Sequence, residues 1–361
     1  MLRQRASLDV ADAVRRIVAL QAQEPASPYL ALWNRLADFD PAELDAAFAD
    51  RSVVKATLLR ITLHAVHADD WPGFHNAMVP TLRAARLLDR RFRNTGLSIA
   101  DADRLIPHLA EFAVRPRTGA EIEDMVEARL GQRLSKVWWA LRTYAPLHLA
   151  PTGGPWMFEG PSSFVAARTE VDPASHGRSL QSLLLRYLQA FGPASTQDFA
   201  AFTLLRRSVV REALHVLGDE VEQLTGPGGA TLFDVSGARL PPEDMIAPPR
   251  LLPMWDNMLL AYSDRSRIVP PEYRTVIFRR NGNVLPTLLV DGYVTGVWRP
   301  VDGHIEATAF QRLDDDAWKG LNAEAGALLA FLADREPRIY SRYAHWWEKD
   351  LPSAEVRLLP A

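Results

Sequence analysis

The chain contains no cysteine. That removes disulfides, thiolate nucleophiles and cysteine-ligated zinc or iron–sulfur sites together. Histidine and carboxylate ligands remain, but there is no HExxH, and the closest histidine pair, His64 and His67, would point to opposite faces of a strand. No metal and no small-molecule cofactor is expected. Lysine is scarce: Lys55, Lys136, Lys319 and Lys349 are all there are. Long apolar runs are also missing, none nearing the roughly 18 residues of a membrane span. The N-terminal "MLRQRASLDV" lacks the apolar core of a secretory signal. A cytoplasmic protein with no membrane partner is expected.

What is present is enough for several cores: 361 residues, 48% of them apolar, a length that suggests roughly two to four domains. The net charge of −3 speaks against a nucleic-acid partner, since such surfaces are normally basic. Its distribution is uneven, however. Residues 51–100 carry eight cations (Arg51, Lys55, Arg60, Arg83, Arg86, Arg90, Arg91, Arg93) against three acids, whereas residues 301–361 are net acidic. Nearly all the cations are arginine, which suits phosphate recognition and also fits a GC-rich genome.

Two middle segments resemble each other. "RPRTGAEIEDMVEARLGQRLSKVWWALRTYAPLHLAPTGGPWMFEG" and "FGPASTQDFAAFTLLRRSVVREALHVLGDEVEQLTGPGGATLFDV" each contain Thr118 or Ser195 as a helix N-cap, with Glu121 or Asp198 at the capping-box position. A second helical stretch and two short extended pieces around a glycine turn follow in each. Each is preceded by a helix. Helix, helix, helix and hairpin is the order of a winged helix-turn-helix. A less regular third copy is read at the start, with "SLDVADAVRRIVALQ" and "DPAELDAAFAD" as helices and "VVKATLLRITLHAVH" as extended. After the prolines of "GARLPPEDMIAPPRLLP", Asn281-Gly282, Asp291-Gly292 and Asp302-Gly303 punctuate β-rich runs as tight hairpins. The expected fold is α+β: three tandem winged helix-turn-helix units over 1–100, 101–175 and 176–240, then a small β-barrel or meander over 241–361, closed by the helix "DDAWKGLNAEAGALLAFLAD".

Gln21 and Gln23 lie where a helical pattern runs into Pro25 and Pro28. On a helix, residues two apart lie about 200° from one another, so both amides reach one cavity only if the helix ends between them. Otherwise they are exposed helix-end amides.

The stretches "LQAQEPASPYLALWNRL", "LLRITLHAV", "KVWWALRTYAPLHLAPTGGPW", "LLPMWDNMLLAYSDRSRIV" and "VLPTLLVDGYVTGVWR" together resemble the AlkZ-like family of winged-helix DNA glycosylases. The family signature is a Gln-apolar-Gln triplet, here Gln21, Ala22 and Gln23; a related branch has aspartate in place of the second glutamine. The resemblance implies double-stranded DNA as partner, with cationic N7-alkylpurine lesions, including bulky natural-product adducts and some interstrand crosslinks, as substrates. It implies Gln21 and Gln23 as catalytic residues. Where the family would have Trp-x-Gly after "GPASTQDFA", this chain reads "AFTLL", which bears on the third unit and on lesion preference.

The chemistry fits those residues. An N7-alkylated guanine already carries positive charge, so it leaves without a general acid. A water near the anomeric carbon, with carbonyl dipoles facing an oxocarbenium-like transition state, is then sufficient. No lysine lies beside the pair in sequence, so a monofunctional enzyme leaving an abasic site is expected, acting as a monomer. Arg60 and His64 would share a strand face, the first for a phosphate and the second for sugar or lesion; the competing reading is a core histidine beside a surface arginine. Arg265 and Arg267 would share a face if extended and track the DNA backbone, unless Asp264 pairs with one of them. Trp138, Trp139 and Trp298 are read as packing residues. The alternatives are a non-catalytic winged-helix regulator or damage sensor, which would need no amides in a cavity, and a scaffold that recruits a partner through its acidic C-terminal domain.

Overall fold

The computed structural model describes residues 1–169, 172–240, 242, 245–349 and 351–361. Two short helices open the chain, α1 (Val10–Arg16) and α2 (Ser27–Trp33), and they belong to different compact units. One unit comprises Val10–Gln23 and Ala42–Ala238. The other comprises Met1–Asp9, Glu24–Pro41 and Arg239–Ala361. The expected linear blocks are corrected accordingly: two N-terminal segments fall with the C-terminal unit. The expected boundary at 241 lies outside the described residues.

In the larger unit, β1 (Leu20–Gln21), β2 (Val53–Thr57), β3 (Leu63–His67), β4 (Arg117–Thr118), β5 (Leu147–Ala150) and β6 (Ser163–Ala166) form one antiparallel sheet in the order β1-β3-β2-β5-β6-β4. Its helices are α3 (Pro41–Asp50), α4 (Trp71–Leu87), α5 (Arg90–Arg93), α6 (Ile99–Phe112), α7 (Gly119–Leu130), α8 (Val137–Tyr144), α9 (His176–Phe191), α10 (Thr196–Thr203) and α11 (Arg207–Leu217). A separate hairpin pairs β7 (Val221–Thr225) with β8 (Thr231–Val235). Both expected repeats show helix, helix, helix and hairpin, and both capping boxes are formed: the Thr118 side chain accepts from the Glu121 amide, and Ser195 from Asp198. Helix α4 packs against α8 and α9.

Two expectations change here. Residues 53–67 are not one extended run but a hairpin, β2 and β3 joined by a 3₁₀ turn at Leu59–Ile61, with Arg60 and Ile61 at φ 53° and 61°. Continuous β-branched and apolar residues conceal the reversal, because no glycine or asparagine marks it. The first hairpin of the repeats pairs Leu147–Ala150 with Ser163–Ala166, not with "GPWMF". The double glycine at 153–154, both at positive φ, lies within the connecting loop.

The smaller unit carries an antiparallel meander of β9 (Arg250–Leu252), β10 (Thr287–Val290), β11 (Tyr293–Val301), β12 (His304–Ala309) and β13 (Glu355–Leu359) in consecutive order. The meander of the two expected forms is the one observed. Asp291-Gly292 and Asp302-Gly303 turn it with positive φ at both residues, as tight hairpins demand. Helices α12 (Asn257–Leu260), α13 (Arg274–Ile277) and α14 (Asp315–Ala333) accompany it. "RTVI", read as β, is the helix α13. The chain also does not close on α14; β13 follows and pairs with β12. Every residue of α2 is buried, as befits "SPYLALW", which has no charge on any face. Buried Arg35 clasps Asp256 through two hydrogen bonds of 2.7 and 2.8 Å, which ties the N-terminal segment into this unit.

Candidate active site

Helix α1 stops at Arg16, and the chain turns through Val18, at φ 72°, into the two-residue strand β1. The helix therefore does not end between the glutamines. They lie on and just after an extended edge strand. Gln21 stands directly opposite His64 in the β1–β3 pairing, and the Ala22 amide donates to the Leu63 carbonyl at 2.8 Å.

Gln21 is buried, at 7% exposure. Its Oε1 accepts from Nη2 of Arg60 at 2.8 Å. An arginine only donates, so the amide must present its oxygen there, with one lone pair and both N–H donors remaining. Nη2 of Arg60 also lies 3.2 Å from Nε2 of His64, and Nη1 donates to the Phe202 carbonyl at 2.8 Å. The left-handed turn is what aims the guanidinium inward at Gln21 and His64. His64 is fully buried, and its Nδ1 lies 3.0 Å from the Thr62 carbonyl. A carbonyl cannot donate, so Nδ1 carries the proton and Nε2 accepts from Arg60. Burial, and then the Arg60 charge, hold the His64 pKa down to about 3, against the opposing pull of the Thr62 carbonyl. The ring is neutral at physiological pH.

Gln23 is exposed. It lines a recess of about 210 Å³ together with Thr57, Ile61, Thr62, Arg86, Arg142 and Thr143 among others. Gln21 is not among the lining residues. One amide thus lines the recess, and the other, outside its lining, is held by Arg60. Among the described residues, no lysine and no carboxylate lines the recess.

The family described as DNA glycosylase AlkZ-like matches residues 14–331. The chain belongs to this family. It is 24% identical over 347 residues to the interstrand DNA cross-link repair glycosylase of Streptomyces sahachiroi, covering 90% of this chain and 91% of that protein. The solved structure of Streptomyces sahachiroi DNA glycosylase AlkZ superposes with a TM-score of 0.79 at 22% identity, over 94% of each chain. That likeness concerns the fold. Family membership makes the chain a DNA glycosylase, an enzyme acting on N-glycosyl bonds.

Other expected residues of this AlkZ-like chain are placed as follows. Arg265 and Arg267 do not share an extended face: they sit in a turn closed by the Ile268 and Val269 amides donating to the Arg265 carbonyl. Arg265 lies over Phe278 at 3.9 Å and Arg267 over Tyr262 at 4.2 Å. The Asp264 carboxylate accepts from the Ser266 amide, capping the turn. Trp298 is fully buried and donates to the Leu252 carbonyl, and Trp138 is buried against Phe164. Trp139 is half-buried, with the guanidiniums of Arg86 and Arg91 packed at 4.7 and 4.2 Å. The sequence reading missed Arg142 altogether and noted Arg86 only within a basic stretch. A usable signal existed, since Trp139 and Arg142 are three apart on one helix and share a face. Among the described residues, no helix is long and apolar enough to cross a membrane.

Proposed function

We propose that this AlkZ-like chain is a monofunctional glycosylase that hydrolyses the N-glycosidic bond of cationic N7-alkylated purines in duplex DNA and leaves an abasic site. The curated relative is named for interstrand cross-link repair, which extends the proposed substrates to bulky or crosslinked N7 adducts. The reading rests above all on Gln23, which lines a recess with no acid or lysine among the described residues, two residues from a Gln21 anchored by Arg60.

In this mechanism Gln23 holds the attacking water in the recess. Gln21 supplies a fixed amide dipole whose orientation is set by Arg60. Neither residue can protonate a leaving group, so the site works only on a base that departs unaided as a neutral molecule. Selectivity follows from that weakness. The absence of a lysine at the recess favours water over a Schiff-base intermediate. His64 serves as the second acceptor that holds Arg60, and exposed Arg267 is assigned to backbone contact. We assign the two helix-helix-helix-hairpin repeats and the N-terminal copy to winged-helix units around this cavity.

The test is a duplex bearing one N7-methylguanine, followed by alkaline strand cleavage. Wild type should cut. Gln23→Ala and Gln21→Ala should each lose most turnover while retaining affinity for DNA. A wild-type protein inert on this and on bulkier N7 adducts, or glutamine variants of full activity, would rule the reading out.

A further inference from the structure

The recess beside Gln23 carries two cations and, among the described residues, no acid. Arg86 reaches it from the last turn of α4, and Arg142 from α8. Neither is neutralised by an ion pair among the described residues, in contrast to neighbouring Arg83 and Arg91, which pair with Asp103 and Asp89. Arg86 is held in place. Its Nε donates to the Thr143 hydroxyl at 3.0 Å, and its guanidinium plane rests on Trp139. Its two terminal amines have no protein acceptor among the described residues. Burial first, and then the charges of Arg91 and Arg142, lower the Arg86 pKa, with Asp89 pulling the other way. Two like charges converging on a pocket of about 210 Å³, also lined by Thr57, Thr62, Thr143 and Ser162, are unfavourable until an anion sits between them. Guanidinium forks and hydroxyls are the groups that contact phosphate oxygens.

We infer that Arg86 and Arg142, braced by Thr143 and Trp139, form a clamp for a DNA backbone phosphate next to the nucleotide whose sugar faces Gln23. The inference rests on the proposed reading of Gln23 but makes a claim of its own: it fixes the register of the strand. Trp139 then acts as a positioning residue, its ring occupied by arginine and not by a base. The clamp also gives a chain of net charge −3 a local basic surface for DNA.

Affinity for a short unmodified duplex, measured by fluorescence anisotropy over a series of salt concentrations, tests it. Removing one phosphate contact lowers the slope of log Kd against log salt by about one. Arg142→Ala should do this, and Arg142→Lys should restore most of the slope. Arg133→Ala, an exposed arginine already facing Glu123, Asp124 and Glu127, should not. Arg142 makes no internal hydrogen bond among the described residues, so its loss should leave the fold intact; Arg86→Ala, which also loses Thr143, is read only alongside a thermal melt. An unchanged slope for Arg142→Ala overturns the clamp, even if wild type excises N7-methylguanine. An equal fall for Arg133→Ala overturns it as a mere effect of net charge. Tight binding of inorganic phosphate with an unchanged DNA slope overturns it as a free-anion site. A fall confined to Arg142 and Arg86 supports it even if no lesion is excised, so the two proposals fail separately.

Discussion

Arg60 occupies a position that a surface arginine would not. Its guanidinium joins Gln21, His64 and the Phe202 carbonyl, so the cation expected to meet a phosphate is engaged inside the protein. Replacing Arg60 with alanine leaves a buried amide oxygen and a buried imidazole nitrogen without their donor. The Gln21 amide is then free to rotate. Loss of such fixed geometry costs on the order of 10²-fold in rate, so Arg60→Ala should lower kcat for N7-methylguanine excision by about that factor with KM little changed. Arg60→Lys should not rescue, because one ammonium cannot span three acceptors in a plane. A KM-dominated defect would return Arg60 to direct DNA contact.

Among the elements, the connection between β2 and β3 decides most for the site. Two consecutive non-glycine residues, Arg60 and the β-branched Ile61, adopt left-handed backbone, an arrangement that costs about 1–2 kcal/mol per residue. Ile61 lines the recess, and the turn directs Arg60 inward. Ile61→Gly removes the strain but also removes half-buried apolar surface and stiffness. The two stability effects oppose one another and are of similar size, so the melting temperature should change little while turnover falls. Retained turnover with a raised melting temperature would mean that the turn does not hold the site. Capping boxes make the starts of α7 and α10 legible in the sequence, because their hydrogen bonds are local. The β2–β3 reversal is not legible, because it is imposed by pairing with β1 and β5 and not by a turn residue.

At the scale of the molecule, the larger unit encloses three histidines, His64, His75 and His148, whose pKa values are pushed down to about 3, 4 and 3, in each case chiefly by burial. His148 stands edge-on to Trp71, and Trp71 stacks on His75. Each is neutral when folded and takes up a proton near pH 6.5 once unfolded. The unfolded state therefore binds more protons below that pH, and stability must fall as pH falls. Each histidine removes about 1.4 kcal/mol per pH unit between about 6.5 and its folded value. Denaturant titrations should show a steep loss of stability from about pH 6.5 to 4. His148→Gln should flatten it by roughly a third, one histidine in three. A pH-independent stability over that window would mean that the rings are charged or exposed. Excision should meanwhile be insensitive to pH near neutrality, since neither glutamine titrates and His64 stays neutral.

The sequence by itself determined what is local or compositional: no thiol chemistry, capped helices in a repeated order, Asp-Gly hairpins, and the Gln-Ala-Gln triplet that carries the resemblance to a DNA glycosylase family. Short-range hydrogen bonds and backbone preferences write those features directly into neighbouring residues. Tertiary structure decided what depends on residues far apart in the chain. It put Gln21 on an edge strand opposite His64, turned Arg60 from the solvent to the amide, and brought Arg86 and Arg142 from two separate helices to the recess of Gln23. It also took Glu24–Pro41 out of the N-terminal block, because a helix apolar on every face must be enclosed on every side, and the Met1–Asp9 and C-terminal segments of its unit supply walls for it.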